Sequence, residues 1–292
     1  MVERNQTCPL CGSEHVFNNK VIPDHNRHRV AAYKLYLCLK CDFQFVSPER
    51  VPSELESLYF PPGSLSHSEA IRLSLPWRVY YSLFRKVGVR PPGKLLDVGC
   101  GFGKYLDYMA EKGWAVTGVD EFAENGSGES GPLFPIHYKE LSAVGFPSNS
   151  FDVITYWWSL EHLPAPVEFL QESFRILKPA GKIVISVPNI ASIEARVFGE
   201  YWYHLNLPLH FSHFSPATLT MALQKAGFQV QSVRQDPLSL GLVGSLENWL
   251  CHRLVPGLSI KSFYWHYLAI PWDLIVAVLG RSSGLITAYA TK

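Results

Sequence analysis

The chain has 292 residues, 47% of them hydrophobic, and a formal net charge of +1 at pH 7. That length holds one full α/β domain with one or two small additions, and the near-neutral balance gives no general reason to expect a nucleic acid or an acidic surface as partner. Residues 1–6 open no apolar run of signal-peptide length, so a secreted protein is not expected. The grouping of the cysteines points to metal in a reducing, cytoplasmic setting rather than to disulfides.

Cys8-Pro-Leu-Cys11 and Cys38-Leu-Lys-Cys41 form two C-x-x-C knuckles separated by residues 12–37. Each knuckle lets two thiolates reach one ion, and four thiolates close a tetrahedral zinc site with no open position, so the zinc would be structural. The bland alternative leaves four reactive surface thiols exposed without reason. His15, His25 and His28 lie between the knuckles and are not required as ligands. The gap accommodates a β-hairpin, and residues 30–37 are β-branched and aromatic enough to be the strand entering the second knuckle. Residues 1–50 therefore read as a zinc ribbon. Pro48, Pro52, Pro61, Pro62 and Gly63 then mark a linker. Within 69–87, Ile71, Leu75, Val79 and Leu83 recur at helical spacing, which predicts a helix, kinked at Pro76, that packs across the following domain or lids a ligand site. Residues 51–92 are read as this linker and lid.

The next domain opens on Leu-Leu-Asp-Val-Gly-Cys-Gly-Phe-Gly, residues 95–103: a buried strand running into a glycine-rich turn and a helix from about Lys104. Gly99, Gly101 and Gly103 remove side chains where backbone approaches a ligand closely or takes positive φ, and such a turn is where doubly wound folds hold nucleotide-like ligands. A dinucleotide fingerprint would need its third glycine at position 104, which is Lys104. A carboxylate at the strand end, Asp97, repels a pyrophosphate but suits a ligand carrying an ammonium and a sulfonium. S-adenosylmethionine is such a ligand. Residues 115–120 form a second strand tipped by Asp120, placed to accept both hydroxyls of an adenosine ribose. An NAD site puts an acid there too, so the glycine spacing decides between them.

Further along, the glycines of residues 125–131 predict a loose loop in place of a helix. Residues 151–157 are a fourth strand, 166–177 a helix stopped by Lys178-Pro-Ala-Gly181, and 182–187 a fifth strand, β-branched as a strand covered on both faces should be. A helix over 216–226 closed by Gly227, a sixth strand over 228–233 and a last strand over 285–290 complete the pattern. If the last strand pairs with the sixth, residues 236–283 are an insertion, strongly apolar, with Trp249, Phe263, Tyr264, Trp265, Tyr267 and Trp272. Pro271 and Asp273 interrupt its longest apolar run, which is too short to span a bilayer. It packs on the core or on a second copy of the chain, or it meets the lipid interface, where Trp and Tyr are favoured and Arg253, Lys261 and Arg281 face anionic headgroups.

The motifs together resemble the class I S-adenosylmethionine-dependent methyltransferases over most of residues 93–235: the Asp97–Gly103 loop, Asp120, Phe146-Pro-Ser-Asn-Ser-Phe-Asp-Val-Ile154, Leu160-Glu-His-Leu163 and the segment 175–189. The resemblance implies a Rossmann-like α/β core with a seven-stranded mixed sheet. It also implies that the first loop holds the methionine part, that Asp120 binds ribose, and that Glu140 and Leu141 lie against adenine. A zinc ribbon before such a core resembles a bacterial group acting on sugars or other small acceptors, matched at residues 36–48.

A hydroxyl acceptor needs a base, most often histidine near neutral pH. Residues 201–215 leave the carboxyl end of the fifth strand carrying His204, His210 and His213. His210 ranks first, since Pro208, His210, Phe214 and Ser215 match a pattern of the zinc-ribbon group. The competing role for His210 and His213 is to tie the loop to the core. His162 reads as structural, and Trp157 and Trp158 flank cofactor or acceptor unless they are core. The Pro-Pro-Tyr signature of base N-methyltransferases is replaced by Tyr156-Trp-Trp-Ser159, so DNA is not an expected partner. The expected activity is methyl transfer to a small or lipid-linked acceptor, a sugar or hydroxylated metabolite, by a cytoplasmic protein with peripheral contact to the inner face of the membrane or dimerisation through 236–283. Ribosomal RNA is the second substrate class, and a non-catalytic zinc-ribbon assembly protein is the third reading.

Overall fold

Short β-branched runs dominate the middle of the chain and become strands in the computed structural model, which describes residues 6–23, 32–47, 78–121 except 80 and 84, 134–236, 241–254 and 283–292. The strands are β1 Val16–Pro23, β2 Ala32–Cys38, β3 Gln44–Val46, β4 Lys94–Val98, β5 Ala115–Val119, β6 Ile136–His137, β7 Phe151–Trp157, β8 Leu177–Pro188, β9 Ser212–His213, β10 Gln229–Gln235 and β11 Leu285–Thr291. The helices are α1 Lys104–Glu111, α2 Leu141–Val144, α3 Pro166–Ile176, α4 Ile193–Phe198, α5 Pro216–Lys225 and α6 Leu242–Arg253.

Seven strands form one mixed sheet in the order β10-β11-β8-β7-β4-β5-β6. The strands from β4 to β8 are parallel, and β11 runs antiparallel between β8 and β10. Leu95, Leu96, Val153, Ile154 and Ile183 have no exposed surface, as expected for parallel strands with helices on both faces. Chain order reverses between β4 and β7, which opens a crevice at their carboxyl ends. The helices that cover the sheet start on local chemistry. Pro166 opens α3 with its φ already helical, and Ser215 caps α5 by accepting from the Thr218 N–H while the Thr218 hydroxyl accepts from the Ser215 N–H.

Three expectations are refined. The fifth core strand begins at Leu177, not at Lys182: Lys178–Gly181 is a bulge within β8, where the register passes from Phe151↔Leu177 to Val153↔Lys182 and Ala180 takes φ 59°. The lid helix docks through a different face from the aliphatic stripe. Val79 and Leu83 are 55% and 56% exposed, whereas Tyr81 packs on Tyr105 at 5.3 Å and Arg85 is buried. The last strand pairs with β10 as expected, but also with β8, so it is interior to the sheet. Ile71, Leu75, the loop at 125–131 and the aromatic residues 263–272 lie outside the described residues. Among the described residues no helix is long and apolar enough to cross a membrane.

A second sheet joins the N-terminal region to the core. Its order is β1-β2-β3-β9, so β3 pairs on one side with β2 and on the other with a strand from the loop before α5, Gln44 opposite His213 and Phe45 opposite Ser212. Phe43 packs on Phe214 at 5.3 Å. Cys8, Leu10, Tyr36 and Phe43 belong to the same buried cluster as Leu96, Ile154 and Leu219.

Candidate functional site

The two knuckles bring four sulfurs together: Cys8 Sγ lies 3.7 Å from Cys41 Sγ, and Cys11 Sγ lies 3.5 Å from Cys38 Sγ. None is in a disulfide, and all four donor atoms fall within 4.8 Å of one another. Sulfurs about 2.3 Å from a common tetrahedral ion stand about 3.8 Å apart, so the quartet has the dimensions of a zinc site.

The crevice between β4 and β7 holds an open cavity. Its floor is the glycine turn. Gly99 takes φ +74°, and a Cβ there would lie 2.2 Å from Ser159 Cβ, so only glycine fits beneath the Ser159 turn. At Gly101, φ +52°, a Cβ would meet no protein atom and would project into open space. The Gly101 N–H donates to Asp120 Oδ2 at 2.7 Å, which ties the tip of β5 to the turn across the mouth of the cavity. Gly99, Gly101, Asp120, Glu140 and Leu141 line the cavity, together with Lys139, Trp158 and His162. Of the other residues expected at the cofactor, Asp97 and Gly103 sit behind this wall. Trp157 faces the Tyr105 ring at 5.3 Å and lies under the Arg85 guanidinium.

Asp97 is buried and accepts a hydrogen bond from the Thr155 hydroxyl at 2.7 Å. Burial pushes its carboxyl up to about 7, an effect that the Thr155 bond opposes and the Asp120 charge reinforces. Arg85, from the lid segment, is clasped between Trp157 and Trp158, its Cζ 4.6 and 4.3 Å from the two ring centroids, and pairs with Asp236 at 3.5 Å.

At the wall beyond Trp158, the turn Leu160–His162 places Glu161 and His162 beside His210. The rings of His162 and His210 meet edge to face at 4.6 Å, and His213 stands 6.4 Å from His210. His162 Nδ1 is 3.0 Å from the Leu209 carbonyl and His210 Nδ1 is 2.8 Å from the His204 carbonyl. A carbonyl only accepts, so each Nδ1 carries the proton and each Nε2 carries the lone pair of the neutral ring. Burial holds His162 and His213 down to about 4, and burial together with the neighbouring histidines holds His210 well below its usual value. Glu161 is 1% exposed, burial pushes its carboxyl up to about 8, and its Oε2 has no hydrogen-bond partner among the described residues.

Of the three histidines, His162 lines the cavity, while His210 lies behind it and His213 sits in β9 against the N-terminal sheet. Sequence reasoning weighted the loop histidines over His162 and gave Glu161 no chemical role. Both residues follow directly on the carboxyl end of β7, and in a parallel sheet that position is itself a signal of proximity to ligand. Nothing in the sequence indicates that Trp158 takes φ 57° and turns toward the cavity.

A family model described as a methyltransferase domain matches residues 78–233. A ubiquinone biosynthesis O-methyltransferase of Xanthomonas axonopodis is 32% identical over 159 residues, covering 50% of this chain and 66% of that protein. A namesake from Haemophilus ducreyi is 36% identical over 146 residues, covering 46% and 59%. The chain thus spans under two thirds of the length of these curated relatives. Among solved structures, phosphoethanolamine N-methyltransferase 2 of Haemonchus contortus, in complex with S-adenosyl-L-methionine, superposes with TM-score 0.54 at 15% identity, over 85% of this chain and 62% of that one. A chain from the complex of the Haloferax volcanii Trm112 methyltransferase activator with a methyltransferase superposes with TM-score 0.50 at 17% identity, over 74% and 88%.

Proposed function

The chain belongs to the class I S-adenosylmethionine-dependent methyltransferase family, and from that premise we propose that it transfers a methyl group to an oxygen of a small or lipid-linked acceptor, a sugar or other hydroxylated metabolite. The observation that carries this reading is the bond between the Gly101 N–H and Asp120 across an open cavity. Backbone with no side chain on one wall and a carboxylate at the tip of the neighbouring strand form a cradle for an adenosine with a short charged tail. In this reading Gly99 and Gly101 lie along the methionine portion, Asp120 takes the ribose hydroxyls, and Glu140 and Leu141 border the adenine. Asp97 and Gly103 hold the turn from beneath, and Trp157 supports it through Tyr105. Oxygen is favoured as the acceptor atom by the curated O-methyltransferases that the chain resembles.

Bound S-adenosylmethionine supplies an electrophilic methyl on sulfur, so the protein's tasks are to orient the acceptor and to draw off its proton. Trp158 offers the acceptor an apolar face. The histidine cluster, with His162 on the cavity wall and His210 and His213 behind it, is where the acceptor hydroxyl loses its proton. The four N-terminal cysteines hold a structural zinc, whose closed ligand shell keeps it out of the chemistry. A lipid-linked acceptor is supported by Leu246, Trp249 and Leu254, exposed on and just beyond α6 beside Arg253.

Calorimetric titration with S-adenosylhomocysteine tests the cofactor assignment. One-to-one binding is expected, with Asp120→Ala weakening it about ten-fold or more through the lost charged contact. A folded, zinc-loaded protein that binds none would overturn the reading.

A further inference from the structure

Trp158 stands in a closed ring of contacts. Its N–H donates to the Ser186 carbonyl at 2.9 Å, and the Ser186 hydroxyl donates to Asp236 Oδ2 at 3.3 Å. Asp236 pairs with Arg85 at 3.5 Å, and the Arg85 guanidinium returns to the Trp158 ring at 4.3 Å. The four residues come from the turn after β7, from β8, from the residue that follows β10 and from the lid segment. The Thr287 hydroxyl, from β11, also donates to Asp236 at 3.0 Å. The Arg85 side chain is 1% exposed, so its charge is spent inside the wall. A bulky residue at φ 57° is uncommon, and such backbone persists where its surroundings over-determine it, above all at ligand sites. Here the ring of contacts keeps Trp158 on the cavity wall, while its neighbour Trp157 packs on Tyr105.

We infer that Arg85 is a positioning and specificity-determining residue for methyl transfer: it fixes the Trp158 ring as the surface on which the acceptor rests, and its charge across that ring favours neutral acceptors over cationic ones. This inference rests on the proposed methyl transfer and narrows its acceptor class. A guanidinium against one face draws the ring's electron density toward itself, so the ring attracts a second cation less. An ammonium on the same ring would also meet the guanidinium through a buried wall, where like charges are weakly screened. Asp236 offsets part of that charge from its own side. Glu161, in the turn beyond Trp158, has its carboxyl pushed up to about 8 by burial, so at neutral pH it adds little negative charge to welcome an ammonium. Cofactor and acceptor are thereby told apart. The cationic sulfonium lies along the turn served by Asp97 and Asp120, and the neutral acceptor lies along the wall that Arg85 backs.

Fluorine resonance of the full chain, labelled with 5-fluorotryptophan and saturated with S-adenosylhomocysteine, reads both roles, with Trp158→Phe identifying the Trp158 signal. Benzyl alcohol and benzylammonium, alike in size and different in charge, are the probes. On the unsubstituted chain, benzyl alcohol should move the Trp158 signal at about five- to ten-fold lower concentration than benzylammonium. Arg85→Met alone leaves Asp236 buried without its cation, so it is combined with Asp236→Asn. That neutral pair should bring the two probes within a factor of about two. Arg85→Lys keeps the charge but loses the planar stack, and it should shift or broaden the Trp158 signal. An Arg85 that serves stability alone would move the melting temperature and leave the Trp158 signal and the order of the probes as they are. Three results would each overturn the inference: benzylammonium acting as strongly as benzyl alcohol on the unsubstituted chain, a Trp158 signal that neither probe moves, or one unchanged in Arg85→Lys. With S-adenosylhomocysteine still bound one-to-one, the methyltransferase reading would stand. Failure of the unsubstituted chain to bind S-adenosylhomocysteine would instead count against that earlier reading.

Discussion

Two neighbouring glycines of one turn carry different burdens. At Gly99 the space for a side chain is taken by Ser159, whose hydroxyl in turn donates to the Val98 carbonyl at 2.6 Å. At Gly101 the same space is open to the cavity. Gly99→Ala should therefore lower both stability and cofactor affinity, the former by about 1–3 kcal/mol. Gly101→Ala should lower affinity with a much smaller effect on the melting temperature. Thermal melts beside S-adenosylhomocysteine titrations separate the two, and equal stability losses would place the second glycine's role in the fold. Asp97 predicts a pH dependence. Its folded pKa of about 7 lies above its ordinary 3.8, so the folded chain holds an extra proton and this group's stabilisation is lost as pH rises from about 4 to about 7. A cation bound above it favours the ionised form. Affinity for S-adenosylmethionine should accordingly rise between pH 6 and 8, with proton release on binding that shrinks in Asp97→Asn. Calorimetry in buffers of different ionisation enthalpy measures that proton count, and a zero count at pH 6.5 would refute the assignment.

At the scale of elements, what the sequence made legible was whatever depends on local pattern. The strand β4, its glycine turn and α1 follow from a run of apolar residues and three glycines, and the paired knuckles follow from cysteine spacing alone. The bulge in β8 was hidden because Lys178-Pro-Ala-Gly181 is also good helix-stop chemistry, and only its partner β7 decides the matter. The lid helix misled through its aliphatic stripe. Its docking face is built on Tyr81 and Arg85, and an arginine clasped by two tryptophans from another element leaves no periodic trace. The histidine cluster was legible as composition but not as geometry, because His162 and His210 come from different loops and meet only when β9 docks. That docking couples the ribbon to the segment that carries His210 and His213. Removing the proposed zinc with a chelator, or Cys38→Ser, should loosen β3 and with it the His210–His213 segment. Hydrogen exchange should report this as lost protection at Val46, whose N–H donates to the Phe211 carbonyl at 2.9 Å. Unchanged protection there after verified zinc loss would show that the two elements are independent.

Among the described residues, one of three buried clusters runs from the knuckles through the sheet to α5. Ribbon and core should consequently melt in a single transition, with chelation lowering its midpoint by several degrees; a separate low-temperature ribbon transition in calorimetry would contradict this. The pairing of β3 with β9 has a further consequence for how the chain is made. About 170 residues separate these partners, and at ~5–20 residues per second a ribosome takes roughly 8–35 s to deliver the second after the first. During that interval the ribbon presents Gln44–Val46 as an unfinished edge, the kind of strand to which other nascent chains add. Because β3 is only three residues long, that edge offers little to recruit, and the brevity of the strand protects the growing chain until its own β9 arrives.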